Sequence, residues 1–418
     1  MKAYIAANFF SYHFIIFLCW VVCCLSKNDS MLNQLSAVKD LINNGSAPIC
    51  YHAHSGTKQS LIIGHWKKYT NEPLIVYPFC LMTKELGNRL GNYWTEVACA
   101  DAIGSHFMAI HKQFDISGAF QESNYTSIRR FHKKTQLIYN NSTRLAFLNA
   151  LPDIIQHQNP VEYSVAIERS KKECKCTRYC WQDIGSPWVN RTSYIGKYML
   201  TAIDNYFLLT QGVNHNVSVV YGTIVEMETD FTNARIDEEL PLIPDVTIQY
   251  RCGDNIQFSY MYGILPDTAF LPLIPKNAKY IYVLSDHPKR ALHAQFTSRC
   301  HTILQGLFHY LNDTNPQATI VVKRGGDIFL DYARMAYSNI TICSASTYCL
   351  WPALANTVRG GQVYFPLTPL IAGADNRQLA PDFGSKFIWL DDPVYSDFRK
   401  VRPWTNIVEI LSGRMKMP

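Results

Sequence analysis

The strongest constraint on the fold is an alternation of β-branched apolar runs and helix-like segments in the C-terminal half of the chain. Strand candidates are 245–251, 279–285, 318–324, 340–344 and 361–366. Segments with apolar residues at helical spacing separate them, over 288–311, 327–337 and 347–358. A parallel strand pair needs a long crossover, so strands that alternate with helices favour a parallel sheet. The sequence therefore predicts an α/β fold with a doubly wound parallel sheet in this half.

Polar and charged residues follow several of these strands. The strand tips read R-C-G-D-N (251–255), S-D-H-P (285–288), K-R-G-G-D (323–327) and S-A-S-T (344–347). In open α/β sheets, ligands bind at the carboxyl ends of the strands, where the strand order reverses. Cationic side chains, hydroxyl groups and helix-opening turns are the groups that bind phosphate. The sequence therefore predicts an anion site at this edge of the sheet.

The N-terminal half is less regular. The segment 94–114 places apolar residues at helical spacing and follows G-N-R-L-G-N (87–92), so we expect a glycine-bearing turn that opens a helix. Acidic residues and two prolines in DEELPLIPDV (237–246) indicate a connection between two domains.

The N-terminus and the glycosylation sequons indicate the secretory pathway. Residues 3–26 contain no Asp, Glu, Lys or Arg, and about 20 apolar residues suffice to span a bilayer. The densely apolar part, 14–25, is shorter and suits a cleaved signal peptide, so anchor and signal peptide both stay open. Nine N-glycosylation sequons favour a lumenal chain. They lie at Asn28, Asn44, Asn124, Asn140, Asn141, Asn190, Asn216, Asn312 and Asn339.

Charge and cysteine usage narrow the partners and the chemistry. The net charge of +6 comes with no basic tract of the kind that nucleic-acid binders use, so we expect no nucleic-acid partner. Of thirteen cysteines, three lie in the apolar run, and the remaining ten would allow five disulfides in an oxidising lumen. Cys174, Cys176 and Cys180 lack the spacing of a structural zinc site, so we expect disulfides there. A second set of cysteines could join strand tips: Cys252, Cys300, Cys343 and Cys349.

Three segments, in this order, resemble the fucosyltransferase superfamily of the GT-B type, which includes alpha-1,2, alpha-1,6 and protein O-fucosyltransferases. GNRLGN (87–92) is similar to the early G-R-L-G-N motif of that family. QYRCGDN (249–255) is similar to its H-x-R-R-G-D stretch, which ends the first strand of the nucleotide domain. The run from Asp327 through ARMAYSNITICSASTYCLWPALAN (333–356) is similar to its late block of helix, strand, Ser/Thr-rich turn and helix.

The resemblance implies two Rossmann-like domains that face one cleft, and a metal-independent, inverting transfer from a GDP-sugar. Arg251 would hold the β-phosphate of the donor, and Ser344, Ser346 and Thr347 would donate to the diphosphate at a helix N-terminus. Asn92, with Gly91 allowing a close approach, would touch the donor from the other domain. No metal and no other cofactor is expected. From the composition and this resemblance together, the expected boundaries are 1–27 for the anchor or signal, 28–75 for a stem, 76–240 for the acceptor-side domain, 241–400 for the nucleotide-sugar domain and 401–418 for a tail.

The sequence departs from the family at positions that matter for the donor. Gln249 stands at the position of the family's histidine, and Cys252 stands at that of its second arginine. The Gln249 amide can still donate and accept hydrogen bonds, so we expect it to bind the donor, and guanine is not excluded. Where the alpha-1,6 enzymes have an aspartate that reads the guanine edge, a gapless match gives Asn339. Asp254 would either take the acceptor proton or orient Arg251.

We therefore expect a glycosyltransferase, with fucose as the best-matched sugar and a glycan or glycoprotein hydroxyl as acceptor. It would be a type II Golgi membrane protein held by its N-terminal segment, or a protein of the ER lumen or a secreted one if that segment is cleaved. Two alternatives stay open, a catalytically silent glycan-binding protein with the same fold and a transferase for another nucleotide sugar. Purely structural roles also stay open. Arg251 could form an ion pair with Asp254, and the Ser/Thr turn could be a plain helix cap. Asn92 could be a turn residue.

Overall fold

The computed structural model of this 418-residue chain describes most of the C-terminal half and parts of the N-terminal half. The residues described are 50–54, 57–65, 72–78, 86–110, 150–152, 154–174, 188–211, 229–235, 238, 240–252, 262–285, 294–325, 328–368, 381–391, 398–401, 403 and 405–416. Residues 3–26, with the expected anchor or signal peptide, lie outside them. Within the described part of the chain, no helix is both long enough and apolar enough to span a membrane.

The N-terminal half contributes a five-stranded sheet in the order β1-β2-β3-β4-β5. Its strands are β1 Cys50–His54, β2 Thr57–His65, β3 Pro73–Pro78, β4 His106–Ile110 and β5 Ile154–Ile155. Only β3 and β4 pair in parallel, and helix α1, Leu86–Ile103, connects them. The expected stem therefore contains two strands, β1 and β2, that pair with each other.

Helix α1 corrects the prediction for residues 87–114. The GNRLGN segment is not a turn, because it lies inside the first two turns of α1. The helix ends at Ile103, Gly104 follows with φ 75°, and 106–110 form strand β4 instead of continuing the helix. Leu90, Trp94 and Val97 follow one another at helical spacing and are buried, so the apolar stripe begins earlier than the sequence suggested.

The C-terminal half forms a seven-stranded sheet in the order β12-β11-β10-β7-β8-β9-β6. All neighbours pair in parallel except β6 and β9, which are antiparallel. The strands are β6 Thr229–Thr232, β7 Val246–Tyr250, β8 Tyr280–Ser285, β9 Thr319–Arg324, β10 Ile340–Cys343, β11 Gln362–Pro366 and β12 Phe387–Leu390. The five predicted strands are all confirmed, and so is the mostly parallel sheet. Counted from β7, the six parallel strands follow the order 3-2-1-4-5-6 of dinucleotide-binding sheets.

Helices cover both faces of this sheet. Besides α1, the α-helices among the described residues are α2 Tyr163–Glu173, α3 Thr192–Gln211, α4 Asp267–Phe270, α5 Ala294–Thr314, α6 Ile328–Tyr337, α7 Thr347–Arg359 and α8 Thr405–Leu411. We call the face that packs against α6 and α7 the inner face, and the face that packs against α5 and α8 the outer face. Side chains alternate along each strand, so β7 sends Thr247 and Gln249 to the inner face and Ile248 and Tyr250 to the outer face.

One hydrophobic cluster joins the two halves of the chain. It includes Phe107 of β4, Leu284 and Phe365 of the C-terminal sheet, and residues of α1, α3, α6 and α7. Gly196 of α3 lies directly against α7, because a Cβ atom there would come within 2.5 Å of the Leu354 carbonyl oxygen. The inner face of the C-terminal sheet is therefore buried by helices from both halves.

Two disulfides are formed among the described cysteines. Cys99 of α1 bonds to Cys174 after α2, and Cys343 at the end of β10 bonds to Cys349 in the first turn of α7. Cys174 is therefore a disulfide cysteine, as predicted, while Cys176 and Cys180 lie outside the described residues. Cys252 and Cys300 are buried thiols on the outer face. Of the four cysteines expected at the strand tips, only Cys343 and Cys349 are bonded in this structure.

Candidate functional site

The strand order reverses between β7 and β10. The chain proceeds from β7 to β8 and β9 on one side, and then crosses to β10, β11 and β12 on the other. The carboxyl ends of β7 and β10 therefore border the crevice in which open α/β sheets bind ligands. Arg251 follows β7 at this point, and the Ser344–Thr347 turn follows β10.

Ser344 ties the two strand tips together. Its hydroxyl donates to the Gln249 carbonyl over 2.8 Å and accepts the backbone N–H of Arg251, also over 2.8 Å. Its own backbone N–H donates to the same Gln249 carbonyl over 2.9 Å. Both donor groups of Ser344 are thus bonded inside the protein, and the hydroxyl holds the backbone of Arg251 in position.

The Arg251 side chain lies across the turn that follows β10. Its Nη1 donates to the Ala345 carbonyl over 3.3 Å, and its guanidinium carbon lies 4.9 Å from the centre of the Tyr262 ring. The residue is half-buried. A carbonyl contact and a cation–π contact together hold the guanidinium beside the turn that follows β10.

The turn itself opens helix α7. Ser346 is the N-cap of α7, and its hydroxyl accepts the Tyr348 N–H over 3.2 Å. Because it accepts in this bond, the hydroxyl keeps its own hydrogen for a further acceptor. Thr347 is the first residue of the helix and is half-buried. The helix-cap interpretation therefore holds for Ser346, and it is compatible with an anion at this helix end.

Helix α1 contacts this turn through Gly87. A Cβ atom at Gly87 would come within 2.5 Å of the Tyr348 nitrogen and 2.7 Å of the Thr347 Oγ1. The Gly87 carbonyl also accepts a hydrogen bond from the Trp351 indole N–H, over 2.8 Å in the interior. The early glycine motif and the late Ser/Thr block are therefore in direct contact, although they are 264 positions apart.

Gly91 and Asn92 lie in α1 rather than in a turn. Gly91 is buried, and its carbonyl accepts a hydrogen bond from the Thr95 hydroxyl over 2.8 Å. The turn-residue interpretation of Asn92 is therefore wrong, since the residue has helical surroundings on both sides. Its side chain lies outside the described part of the structure, so the donor contact stays a prediction.

Gln249 carries an unsatisfied acceptor. The residue is 4% exposed and lies on the inner face of β7, one residue before the end of the strand. Its side-chain oxygen Oε1 is buried and has no hydrogen-bond partner in this structure. An unsatisfied buried polar group costs about 1–3 kcal/mol, so a donor from a ligand or a water molecule would stabilise it.

Two further sequence expectations concern the donor and the proton. Asp254 lies outside the described residues, so neither of its expected roles is tested. Asn339 is exposed and immediately precedes β10, so it lies at the amino end of that strand. A residue at that end cannot reach a nucleobase that is bound at the carboxyl ends of parallel strands. The gapless match of Asn339 to the guanine-reading aspartate is therefore wrong.

Two cations at the end of β9 were not singled out from the sequence. Lys323 and Arg324 are 6% and 7% exposed, and they are the last two residues of the strand. The sequence KRGGD was recognisable as a polar strand tip. The alternation of residues along the strand does not show, however, that its two cationic side chains are buried. Both residues have interactions within the protein, so their burial alone does not make this strand end part of the candidate site.

A buried carboxylate lies on the outer face behind Arg251. Asp267 opens α4, is 2% exposed, and has an Oδ1 atom without a hydrogen-bond partner. Burial raises the pKa of Asp267 from 3.8 to about 7, and Arg414 partly offsets this. Burial also raises the pKa of the Tyr250 hydroxyl, with smaller contributions from Asp267, Cys252 and Cys300. These groups lie behind the strand tip, on the face opposite to Gln249.

Comparisons with protein-family models, curated protein sequences and solved structures found no match to this chain. The described residues contain no group of three or more His, Cys, Asp or Glu side chains that could hold a metal ion. What the site offers chemically is an arginine at the switch point of a parallel sheet, with a capped helix N-terminus beside it. Such an arrangement suits a phosphorylated ligand.

Proposed function

We propose that the chain is a glycosyltransferase that binds a nucleoside diphosphate sugar at this crevice, with GDP-fucose as the first candidate donor. The observation that carries the proposal is the position of Arg251, at the strand-order reversal and beside the N-terminus of α7. An arginine at this point can form a bidentate contact with phosphate, and the helix N-terminus favours the same negative charge.

The reaction would be a direct displacement. An acceptor hydroxyl oxygen attacks the anomeric carbon, the bond from that carbon to the phosphate oxygen breaks, and the nucleoside diphosphate leaves with the bonding electrons. The hydroxyl proton passes to a base, for which Asp254 is the sequence candidate. Negative charge grows on the leaving oxygen, and Arg251 with the α7 N-terminus would stabilise it without a metal.

The resemblance to the fucosyltransferase superfamily supports the choice of donor and of the GT-B arrangement. Contact between the GNRLGN segment and the Ser/Thr turn is compatible with that family's use of both motifs at one site. By the same resemblance, the chain would be a type II Golgi membrane protein with a lumenal catalytic part. Its acceptor would be a glycan or a glycoprotein. Because Gln249 stands in place of the family's histidine, the nucleobase of the donor stays open. A transferase for another nucleotide sugar is therefore the second candidate.

Nucleotide binding tests the proposal before any acceptor is known. Thermal unfolding of the purified lumenal protein would be followed with GDP, UDP and CMP. A nucleotide at 100 times its Kd should add about 2.7 kcal/mol to the free energy of unfolding. Stabilisation by GDP supports the fucose donor, stabilisation by UDP or CMP supports another sugar, and no stabilisation by any nucleotide contradicts the proposal and favours a silent glycan-binding protein.

Arg251→Ala should weaken binding of the stabilising nucleotide by about 10- to 100-fold, since a hydrogen bond to a charged group contributes about 1.5–3 kcal/mol. Transfer of sugar from the matching donor should fall at least as much, because charge on the leaving group is largest in the transition state. Titration calorimetry and a donor-screen assay with linkage analysis of the product would measure the two effects. Exposed Arg235, changed to alanine, is the matched control. A folded Arg251→Ala protein with full affinity and full activity would remove Arg251 from the site.

A further inference from the structure

The segment that contains α6, β10 and the turn after β10 reaches the surface at one residue. Every residue from Asp331 to Ser346 is buried except Asn339, which is exposed. Its two neighbours along the chain, Ser338 and Ile340, are both buried. Within this segment, the surface position therefore belongs to a single asparagine.

The backbone around Asn339 is held by the sheet. Its carbonyl accepts the N–H of Gln362 in β11 over 2.9 Å. The next N–H, that of Ile340, donates to the Asp245 carbonyl, directly before β7, over 3.1 Å. Because the main chain is bonded on both sides and the neighbouring residues are buried, the part of Asn339 that faces solvent is its side chain.

Asn339 is also the acceptor position of a glycosylation sequon, Asn339-Ile340-Thr341, whose middle residue is not proline. An N-linked glycan is bulky and polar, and a close-packed protein interior cannot hold it. Only an asparagine that is exposed after folding can therefore carry one in the native protein. Asn339 meets both the sequence requirement and the packing requirement.

The hydroxyl group of the same sequon is buried in the folded protein. Thr341 donates to the Met335 carbonyl over 2.6 Å and accepts from the Asn356 side chain over 3.2 Å, in the interior. A glycosylating enzyme cannot reach this hydroxyl once β10 is paired on both sides. Attachment of a glycan must therefore precede the folding of this segment.

We propose that Asn339 carries an N-linked oligosaccharide. The donor is an oligosaccharide joined to a lipid through a diphosphate. The amide nitrogen attacks the first sugar carbon, and the bond from that carbon to the phosphate oxygen breaks. The lipid diphosphate leaves with the bonding electrons, and the amide gives up one proton. The modification requires a lumenal chain, as the N-terminus and the sequons predict, and it does not depend on the proposed sugar transfer.

The glycan lies at the amino edge of the C-terminal sheet. Asn339 precedes β10 and Ser344 follows it. A strand rises about 3.3 Å per residue, so the two residues are roughly 16 Å apart. An oligosaccharide on Asn339 therefore occupies the edge opposite to Arg251 and leaves the carboxyl edge uncovered.

Mass spectrometry on the full chain, expressed in a secreting eukaryotic cell, tests the site. Peptide N-glycosidase in heavy-oxygen water releases N-linked glycans and converts each modified asparagine to an isotope-labelled aspartate. We expect this label at Asn339. Asn339→Gln should run faster than wild type on a denaturing gel, and the difference should disappear after treatment with the glycosidase.

Asn159→Gln is the matched control, because Asn159 is exposed and is followed by proline, so it lies outside any sequon. It should leave the gel mobility unchanged. Asn339→Asp gives the same reading as the glutamine variant if that one does not fold. An unlabelled Asn339 in protein that is labelled at other sequons overturns the inference. Protein without label at any sequon also overturns it, and would contradict the lumenal location as well.

Discussion

Asp267 shows how a single residue can make the stability of the whole chain depend on pH. Its carboxyl is buried, one of its oxygens has no partner, and its pKa is raised to about 7 mainly by burial. The folded protein therefore holds a proton that the unfolded chain releases near pH 4. Because the folded state binds more protons between these two values, the contribution of Asp267 to stability is fully present below about pH 4 and is lost as the pH rises to about 7.

Asp267→Asn should remove this dependence, since the amide resembles the protonated acid. A rise of the pKa from 3.8 to about 7 corresponds to roughly 4 kcal/mol, so the variant should be more stable than wild type by up to that amount at pH 8 and nearly equal to it at pH 4. Denaturant unfolding at pH 4, 6 and 8 would measure the difference. Exposed Asp313, changed to asparagine, is the control. A difference that stays constant with pH would show that Asp267 does not carry the titration.

At the scale of elements, the turn between β10 and α7 is held from three sides. Ser344 bonds it to β7, Gly87 of α1 packs against it, and the Cys343–Cys349 disulfide closes it into a loop. Each of these contacts restricts the same few residues that lie beside Arg251. A turn held in this way pays little conformational entropy when it binds a ligand.

The two disulfides allow stability and binding to be separated. By loop-closure entropy, removing Cys99–Cys174, with a separation of 75, should cost about 4.5 kcal/mol, and removing Cys343–Cys349, with a separation of 6, about 2 kcal/mol. We nevertheless expect the Cys343→Ser/Cys349→Ser variant to lose more nucleotide affinity, by about tenfold or more, because its loop is no longer preorganised.

Thermal unfolding and calorimetry on both double-serine variants would give the two quantities, with the nucleotide that stabilises wild-type protein. We expect stability and affinity to fall in opposite orders. The variant without Cys99–Cys174 should be the less stable of the two but should bind the nucleotide more tightly. If affinity falls in the same order as stability, the Cys343–Cys349 loop has no special part in binding.

At the scale of the whole molecule, the two halves share one core. Helices α1 and α3 of the N-terminal half pack on α7, and their residues join the inner-face cluster of the C-terminal sheet. Separating the halves would expose the apolar side of α7 to water, at about 25 cal/mol for each Å² uncovered. This burial couples the two sheets energetically, whatever the boundaries of the domains.

Unfolding should therefore be one cooperative transition. Calorimetry on the intact protein should give a calorimetric enthalpy close to the van't Hoff enthalpy. Gly196→Ala, whose Cβ would clash with the Leu354 carbonyl, should lower the temperature of that whole transition. Two resolved transitions, or a shift of only one of them in Gly196→Ala, would show that the halves unfold independently.

The regular part of the fold was predictable because its signals are local. The five predicted C-terminal strands and the helices after β9 and β10 have the predicted type, with ends within one or two residues. The N-terminal prediction failed at α1, because glycine in GNRLGN indicates a turn by propensity. Position 87 of α1 requires glycine because α1 approaches α7 too closely there for a side chain. That requirement is visible only in the packing.

The candidate site was predictable in part for the same reason. Arg251, Ser344 and Ser346 could be named because they end strands or open a helix, and those positions follow from sequence periods. The sequence by itself determined the α/β class, the polar strand tips and the cationic character of the edge, since each depends on residues close together in the chain. Only the tertiary structure decided that Ser344 bonds to β7, that the buried Gln249 Oε1 has no donor and that Lys323 is buried. Those properties depend on strand order and register, which bring together residues far apart in the chain.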